Sequence, residues 1–306
     1  MKILVTGGAG FIGSHVCDAF LSQGHEVHAL DDLSSGKREN LDPRVKLFVA
    51  DIRSQDAHKL VLEQRYDAMA HLAAQMDVRR SVADPRFDAD VNIGGFLNLL
   101  EACAKAGTKR VVFSSTGGAI YGEQDVFPAP ESHPTRPVSP YGTSKAAGEL
   151  YLGYYRAQYG LSFCALRYAN VYGPRQNPHG EAGVVAIFSQ RLISGQPCTI
   201  FGEGKQTRDF VYGKDVARAN YLAFESDYVG AANIGTAIET DINALYQHLA
   251  DAAGVKTPAL HAPGKPGEQL RSCIDPSHAK KVLGWSPTVS LKDGIQQTVA
   301  YFRQAR

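Results

Sequence analysis

A tyrosine and a lysine four residues apart are the side chains best suited to chemistry. Tyr141 and Lys145 form a Y-x-x-x-K pair. On a helix, positions i and i+4 share a face, so the Lys145 ammonium can lie beside the Tyr141 phenol. A free tyrosine has a pKa of about 10, and a nearby cation favours the phenolate. The pair therefore predicts a general base that works near neutral pH.

Hydroxyl side chains precede this pair at the end of a strand-like segment. Ser114, Ser115 and Thr116 close the apolar run that starts at residue 110. A hydroxyl at Thr116 can relay a proton between a substrate and Tyr141. A Y-x-x-x-K pair alone is common on surface helices. Its assignment as a catalytic pair therefore depends on these hydroxyls and on a nucleotide-binding first half of the chain.

A glycine-rich segment near the N-terminus predicts a dinucleotide site. Residues 6–13 read TGGAGFIG, follow a strand-like run and open a helix-like stretch. Gly7, Gly10 and Gly13 allow a tight turn, and they let the backbone approach a pyrophosphate at the helix N-terminus. The glycine pattern alone is weak, but the strand before it, the helix after it and an acid after the next strand supply the expected context.

Acidic residues after the second and third strand-like segments bear on the choice of cofactor. A carboxylate at Asp31 accepts hydrogen bonds from the adenosine ribose and would repel a 2′-phosphate, which favours NAD over NADP. Lys37 and Arg38 lie nearby and would weaken that preference. Asp51 can reach the adenine edge; the alternative is that it caps the following helix.

Short apolar segments alternate with helix-like segments through the first half of the chain. We predict strands at residues 2–6, 26–30, 45–49, 68–72, 110–114 and 163–167, and helices at 12–23, 54–64, about 91–105 and 141–159. Apolar strands of this length are typical of strands buried on both faces. The alternation predicts an α/β fold with a Rossmann-type doubly wound parallel sheet.

After residue 167 this rhythm is lost. Stretches rich in glycine and proline at 173–174, 177–180 and 201–204 separate shorter elements, which predicts a smaller, mixed α/β lobe. Ile295, Val299 and Phe302 are spaced along one face of a closing helix. We predict an NAD-binding domain over residues 1–170 that carries the catalytic residues. Residues 171–306 would form a substrate-binding lobe, with some segments returning to the Rossmann sheet.

Composition and charge exclude several classes of protein. The 306 residues carry 32 Lys and Arg against 31 Asp and Glu, which argues against a nucleic-acid-binding surface or a polybasic membrane patch. No uncharged apolar window approaches the roughly 18 residues that span a bilayer. The chain starts on a strand-like run rather than a signal peptide, so we expect a cytoplasmic protein. Five widely spaced cysteines predict free buried thiols, and the ten histidines show no metal-binding spacing.

The sequence resembles the extended short-chain dehydrogenase/reductase family, specifically its UDP-glucose 4-epimerase-like enzymes. The resemblance spans nearly the whole chain and rests on residues 6–13 (TGGAGFIG), 71–75 (HLAAQ), 114–116 (SST), 141–145 (YGTSK), 166–175 (LRYANVYGPR) and 208–211 (RDFV). It implies C4 epimerisation of a UDP-hexose with NAD, through a transient 4-keto sugar. UDP-glucose and UDP-galactose are the expected substrates, together with their N-acetylated forms, and no metal is expected.

The motifs and the resemblance together assign site residues. The catalytic groups are Thr116, Tyr141 and Lys145; Ser115 is the alternative to Thr116, because residues 114–121 carry one residue more than the commonest epimerase pattern. The cofactor-binding residues are Gly7, Gly10, Phe11, Ile12, Gly13, Asp31, Asp32, Ser34, Ser35, Gly36, Asp51, Ile52, Leu72, Ala73, Ala74, Gln75, Asn92, Ser114, Tyr141, Lys145, Tyr168 and Val171. The substrate-binding residues are Thr116, Tyr141, Asn170, Val184, Thr199, Ile200, Phe201, Arg208, Lys265, Glu268, Arg271 and Ser272.

The resemblance also implies which part of the nucleotide sugar each group meets. Asn170 and Arg208 would meet the diphosphate, although Arg208 has the alternative of a surface ion pair with Asp209. Residues 199–201 would flank the uracil, and three residues of the stretch 265–271 would hold the ribose and phosphates. Ser272 would lie near the sugar C2 substituent, where a small side chain admits an N-acetyl group; the alternative is that Ser272 faces solvent.

Rival functions lack residues that they need. A nucleotide-sugar 4,6-dehydratase would carry acids just after the serine/threonine segment, where residues 117–119 read GGA. UDP-glucuronate epimerases supply an arginine where this chain has Asn177. A catalytically silent nucleotide-sensing protein would not need Thr116, Tyr141 and Lys145 together.

Two apolar helix surfaces favour a homodimer. The predicted helix at 91–105 is apolar on more than one face, and the helix after Tyr141 carries further large apolar residues. The residues are Ile93, Phe96, Leu97, Leu99, Leu100 and Cys103 on the first helix and Leu150, Tyr151, Tyr154 and Tyr155 on the second. The resemblance implies a bundle of two helices from each subunit; the alternative is a monomer whose second lobe covers both faces.

Overall fold

A computed structural model describes residues 1–178, 183–264 and 269–304. Its strands are β1 (Lys2–Thr6), β2 (Glu26–Asp31), β3 (Lys46–Val49), β4 (Ala68–His71), β5 (Arg110–Thr116), β6 (Ser162–Tyr168), β7 (Asn170–Tyr172), β8 (Thr199–Phe201), β9 (Thr207–Tyr212), β10 (Gly230–Ile234), β11 (Glu239–Asp241), β12 (Leu260–Ala262) and β13 (Arg271–Ser272). Its α-helices are α1 (Phe11–Ser22), α2 (Gln55–Gln64), α3 (Val78–Ala83), α4 (Pro85–Ala89), α5 (Phe96–Ala106), α6 (Pro140–Tyr159), α7 (Val184–Ile193), α8 (Gly213–Glu225), α9 (Ile242–Ala253), α10 (Ser277–Leu283) and α11 (Leu291–Gln304).

The main layer is a seven-stranded sheet in the order β10-β6-β5-β4-β1-β2-β3. Every pairing between these neighbours is parallel. Strand order reverses on either side of β1, so the predicted doubly wound Rossmann-type sheet is confirmed. In such a sheet, ligands bind beyond the carboxyl ends of the strands near the reversal point. The seventh strand, β10, comes from the second half of the chain.

Each face of the sheet is covered by helices because successive strand residues point to opposite sides. In β1, Leu4 packs in a core with residues of α2, α5 and α6. Its neighbours Ile3 and Val5 pack in a second core with Val16 and Phe20 of α1. All of these side chains are buried. Burial on both faces explains why the strands read as continuous apolar runs rather than alternating ones.

The predicted helix at 91–105 has a different start in the structure. Residues Asp90–Gly95 form a wider turn of π type, and the α-helix begins only at Phe96. A Cβ on Gly95 would lie 2.7 Å from Cγ1 of Ile52, so the glycine permits close packing there. Asn92 lies in this wide turn, and its amide bonds to the backbone of Gln75 rather than facing solvent. The other predicted helices differ from the observed ones by no more than one residue at either terminus.

The second half builds a smaller mixed lobe, as predicted. In its four-stranded sheet, β9 pairs antiparallel with β11 and parallel with β13 and β7. Strands β8 and β12 form a parallel pair. Ile295 and Val299 of α11 are buried in a core with α7 and α9, and Phe302 is half-buried. The division of the chain at residue 170 stays a prediction.

Two further expectations concern cysteines and membranes. The five cysteines are all buried with free thiols, which confirms that prediction. Among the helices within the described ranges, none has the length and apolar character needed to cross a membrane.

Candidate active site and cofactor cleft

The two candidate hydroxyls of β5 point to opposite faces of the sheet. Ser115 is 2% exposed, whereas Ser114 and Thr116 on either side of it are half-buried. The Ser115 Oγ donates to Oε1 of Glu149 at 2.5 Å. Glu149 in turn forms an ion pair with Arg167 of β6 at 2.7 Å. Because Ser115 is committed to this buried pair, the geometry favours Thr116 as the hydroxyl that faces a substrate.

Thr116 lies beside a space that Gly118 leaves open. A Cβ on Gly118 would lie 4.0 Å from Oγ1 of Thr116 and 3.9 Å from Oδ1 of Asn170. The Thr116 hydroxyl and the Asn170 amide therefore border the same small volume at the carboxyl ends of β5 and β6. Asn170 is exposed at the start of β7. Polar groups that converge on an open volume are what a ligand site needs.

Helix α6 brings Tyr141 and Lys145 to this edge. Ser139 caps the helix, because its Oγ accepts a hydrogen bond from the Gly142 N–H at 3.1 Å. Tyr141 then lies in the first turn and is half-buried, and Lys145 follows one turn later and is 3% exposed. The Lys145 Nζ lies 5.8 Å from the centroid of the Tyr141 ring. The predicted neighbourhood of ammonium and phenol is therefore present in the structure.

The environment of Lys145 changes its acidity. Its Nζ donates to the Ser114 carbonyl at 2.8 Å and lies 5.0 Å from the centroid of the Phe113 ring. Burial lowers the pKa of Lys145 to about 8, and the negative charge of Asp88 opposes that shift. Tyr168, also assigned to this region, receives a hydrogen bond from Asn220, and burial raises the pKa of its phenol.

The glycine loop fits a dinucleotide because it has no room for side chains. Gly7 has a φ of +66°, and a Cβ there would lie 2.7 Å from the Ala73 nitrogen. A Cβ on Gly13 would lie 2.0 Å from the Gly7 oxygen. The Thr6 hydroxyl accepts hydrogen bonds from the Leu72 and Ala73 N–H groups at 3.2 Å, which joins β1 to the segment after β4. The backbone at the start of α1 is thereby open to a pyrophosphate.

Asp31 lies beside this loop at the end of β2. Its Oδ2 accepts from the Ala9 N–H and its Oδ1 from the Leu33 N–H, both at 2.9 Å. Burial raises the pKa of Asp31, and these hydrogen bonds oppose the shift. A Cβ on Gly36 would lie 2.7 Å from Oδ1 of Asp31. A carboxylate held next to the glycine loop suits a ribose with free hydroxyls, and therefore NAD.

Other cofactor-site candidates lie around this cleft with local partners of their own. Asp32 accepts hydrogen bonds from the N–H and hydroxyl of Ser34. Asp51 pairs with Arg53 at 2.5 Å. The cap of α2 is Ser54, so the alternative that Asp51 caps this helix is not what the structure has. Ile52 is 5% exposed and packs next to Gly95.

Sequence reasoning missed a buried carboxyl group behind the cofactor segment. Asp88 of α4 is fully buried and accepts hydrogen bonds from Gln75, Asn92 and Ser144. A signal was present, because an acid four residues before Asn92 lies on the same face of a helical turn. The partners on other segments could not be read from spacing.

The substrate-site candidates lie on the short strands of the second lobe. Arg208 of β9 donates to the Thr207 carbonyl at 2.8 Å, while the neighbouring Asp209 is buried and accepts from Thr236. The carboxylate of Asp209 therefore faces inward rather than forming part of a surface pair. Phe201 at the end of β8 is 38% exposed. Thr199 and Ile200 precede it, and Val184 begins α7.

Arg271 and Ser272 form β13 next to Arg208. Arg271 donates to both carboxylate oxygens of Glu239, at 2.9 and 2.5 Å, and its guanidinium carbon lies 3.8 Å from the centroid of the Phe127 ring. Ser272 pairs in register with Arg208 and is 4% exposed, so it does not face bulk solvent. Lys265 and Glu268 lie outside the described residues. Within the described ranges, no group of three or more His, Cys, Asp or Glu is arranged to hold a metal ion.

Comparisons with known proteins agree with this architecture. Residues 3–235 match the family described as NAD dependent epimerase/dehydratase. UDP-glucose 4-epimerase of Mycolicibacterium smegmatis is 46% identical over 309 residues, covering 99% of each chain. The structure of UDP-glucose 4-epimerase from Thermotoga maritima with UDP-glucose has a TM-score of 0.96 at 47% identity, covering 100% of this chain and 99% of that one.

Two further structures bear on the cofactor and the sugar. The UDP-glucose 4-epimerase of Thermus thermophilus in complex with NAD has a TM-score of 0.95 at 46% identity, with both chains covered completely. The UDP-N-acetylglucosamine 4-epimerase of Methanobrevibacter ruminantium, in complex with UDP-N-acetylmuramic acid, has a TM-score of 0.95 at 36% identity, covering 100% of this chain and 99% of that one. The predicted fold, family and NAD cofactor are thus confirmed. This chain belongs to the NAD dependent epimerase/dehydratase family.

Proposed function

We propose that the protein interconverts UDP-glucose and UDP-galactose, and their N-acetylated forms, by epimerisation at C4. One observation carries this proposal: the buried Lys145 ammonium lies beneath the Tyr141 ring at the edge where Thr116 and Asn170 border an open volume. The full-length relative of Mycolicibacterium smegmatis supports it, as do the crystal structures of the Thermotoga maritima enzyme with UDP-glucose and the Thermus thermophilus enzyme with NAD.

The chain's own residues move the proton. Tyr141 takes it from the C4 hydroxyl, directly or through Thr116, and later returns it. The Lys145 ammonium favours the phenolate of Tyr141 throughout. When bound, NAD would supply the acceptor and donor of the C4 hydride, so that the hydride could return to the other face of the sugar. The glycine loop and Asp31 hold the cofactor for this step, which assigns residues 1–170 to the cofactor and the chemistry.

The second lobe holds the nucleotide while the sugar turns. Arg208, Arg271 and Asn170 offer cations and an amide to the diphosphate, and arginine suits phosphate because its fork donates two parallel hydrogen bonds. Glu239 orients the guanidinium of Arg271 in this arrangement. Residues 199–201 flank the uracil. Anchoring at the nucleotide leaves the sugar free to present its other face.

Dehydratase activity is the less well supported hypothesis. The site edge after Thr116 is formed by Gly117, Gly118 and Ala119, and none of them provides an acid to remove a C5 proton. Gly117 is also packed tightly, because a Cβ there would lie 2.7 Å from Cδ1 of Ile274.

A homodimer through α6 is part of the proposal. Leu150 is 77% exposed and Tyr154 is 50% exposed on this helix, and Tyr151 lies beside them. By contrast, Phe96, Leu99, Leu100 and Cys103 of α5 are covered by the protein's own core. The argument for association therefore rests on α6, whose exposed apolar side chains need a partner. Sedimentation at micromolar concentration that shows only a 33.1 kDa species would contradict it.

We also place the protein in the cytoplasm. Its free buried thiols suit a reducing compartment.

Product analysis tests the reaction. The purified protein is incubated separately with UDP-glucose, UDP-N-acetylglucosamine and UDP-glucuronate, and the products are separated by chromatography. We expect UDP-galactose and UDP-N-acetylgalactosamine from the first two and little turnover of the third. A 4-keto-6-deoxy product would instead identify a dehydratase, and retention of NAD without any turnover would indicate a binding protein.

A further inference from the structure

A single buried carboxyl group connects three segments around the candidate active site. The Oδ1 of Asp88 accepts from Nε2 of Gln75 and from Nδ2 of Asn92, both at 3.0 Å. Its Oδ2 accepts from the Oγ of Ser144 at 2.7 Å. Asp88 is 0% exposed. Hydrogen bonds to a carboxylate in such surroundings are strong, so the three donors are held firmly in place.

The first connection runs to the cofactor segment after β4. The Asn92 amide bonds to the backbone of Gln75 on both sides, donating to its carbonyl at 2.9 Å and accepting from its N–H at 2.8 Å. Asp88 fixes the orientation of both amides. The position of residues 72–75 therefore depends on this carboxyl group.

The second connection runs to the catalytic helix. Ser144 lies three residues after Tyr141 and directly before Lys145 in α6. Its bond to Asp88 therefore anchors the turn that carries both catalytic side chains. The titratable groups around the Lys145 ammonium are Asp88 of α4, His71 of β4 and Tyr141 of its own helix. Of these, Asp88 is the acid that stabilises the ammonium.

We propose that Asp88 is a positioning residue that holds the cofactor segment and the catalytic helix in register and keeps Lys145 in its charged form. The inference rests on the proposed epimerase activity. Asp88 acts through Gln75, Asn92, Ser144 and Lys145, and it does not touch the substrate. Burial lowers the pKa of Lys145 to about 8, and the Asp88 charge opposes that shift. Without this charge, Lys145 would lose its proton at a lower pH.

The test compares Asp88→Asn with Asp84→Asn. Asparagine matches the shape of aspartate but removes the charge. Because Asp88 acts through other residues, we expect kcat to fall roughly 10- to 100-fold, at or below the lower end of the about 10²- to 10⁴-fold that direct acid–base catalysis contributes. The high-pH limb of the kcat profile should move down by about one unit, while KM for the UDP-sugar stays near normal. Asp84 caps α4 from the exposed surface, and asparagine caps equally well, so Asp84→Asn should match the wild type.

The high-pH limb separates this role from a merely structural one. A folded, NAD-retaining Asp88→Asn protein whose high-pH limb is unchanged would overturn the proposal. If that variant does not fold, Ser144→Ala keeps the charge and removes one hydrogen bond. We expect it to lower kcat several-fold without moving the limb, and an unchanged kcat would overturn the anchoring role. Wild-type protein that does not epimerise any UDP-hexose would contradict the proposed function itself, independently of how the variants compare with the wild type.

Discussion

The proposed catalytic side chains and the proposed nucleotide-binding side chains lie on elements of different kinds. Lys145 is 3% exposed and is held by β5 and α6, a seven-residue strand and a 20-residue helix. Arg271 belongs to a two-residue strand, and its side chain is 51% exposed. Phe201 ends a three-residue strand and is 38% exposed. We infer that a packed core fixes the chemistry, while some of the proposed nucleotide contacts, at Arg271 and Phe201, lie on a more exposed surface.

This difference suits a reaction in which a sugar must present both faces to one base. Catalytic groups lose rate when they shift by about an ångström, so they need rigid support. The second-lobe residues must instead hold a nucleotide while its sugar turns. If the two regions are specialised in this way, substitutions in the first should change kcat, and substitutions in the second should change KM and substrate choice.

The largest effect is expected at Tyr141. Tyr141→Phe removes the proton-transferring hydroxyl but keeps the packed ring, so we expect kcat to fall about 10²- to 10⁴-fold. NAD and UDP binding should remain nearly intact, measured by retained cofactor and by titration calorimetry with UDP. Near-normal turnover would contradict the assignment of Tyr141 as the base.

Lys145→Ala tests the second proposed catalytic side chain. It should remove activity and also weaken NAD retention, because we assign the ammonium to both the Tyr141 phenol and the cofactor ribose. A variant that retains NAD as the wild type does would limit Lys145 to the phenol alone.

The next largest effect is expected in the glycine loop. A Cβ on Gly13 would overlap the Gly7 oxygen at 2.0 Å, so Gly13→Ala must displace the turn that faces the pyrophosphate. We expect loss of tightly bound NAD and a destabilisation of about 1–3 kcal/mol. Gly94→Ala is the matched control, because its Cβ would meet only the Asp90 Oδ1 at 3.6 Å. Cofactor retention in Gly13→Ala equal to that of the control would contradict the close approach.

A smaller effect separates the two neighbouring hydroxyls. Ser115→Ala leaves the half-buried Glu149 carboxylate with one donor fewer, so the free energy of unfolding should fall by about 1–3 kcal/mol. Turnover by the folded protein should persist. Thr116→Val should show the reverse, with lowered kcat and nearly unchanged stability. Chemical denaturation and initial rates measured on both variants decide the matter, and an inactive, stable Ser115→Ala would exchange the two roles.

These two hydroxyls also show which features of the site the sequence alone cannot predict. The glycine loop, Asp31 and the Tyr141–Lys145 pair have local spacings that carry their own physical meaning, and the six strands of the first half are apolar runs. The sequence alone does not decide between Ser115 and Thr116, because the choice depends on β5 extending to Thr116 and on which face of the sheet Glu149 occupies. Which face of the sheet a side chain occupies depends on its partners in the folded protein, and a local sequence pattern does not identify those partners.

The strands of the second lobe and the role of Asp88 are difficult to predict from the sequence for the same reason. Strands β7, β8, β11 and β13 have only two or three residues each, too few for a periodic pattern to emerge. Asp88 gains its role from partners 13 residues before it and 56 residues after it. The apolar spacing of the segment 91–105 predicts one continuous helix, and it contains no signal for the wide turn around Asn92.

The smallest expected effect is a change in substrate choice at Ser272. This residue is 4% exposed and lies in register with Arg208, the proposed diphosphate contact. We therefore propose that its side chain borders the nucleotide-sugar site. Tyrosine there would fill the space that an N-acetyl group needs, and overpacking costs about 1–3 kcal/mol. Ser272→Tyr should therefore lose turnover of UDP-N-acetylglucosamine roughly 10- to 100-fold while retaining that of UDP-glucose. The ratio of kcat/KM for the two sugars measures the effect, with Ser22→Tyr at the exposed end of α1 as the control. An equal loss of kcat/KM for both sugars, or no loss for either, would contradict the placement of Ser272 at the sugar site.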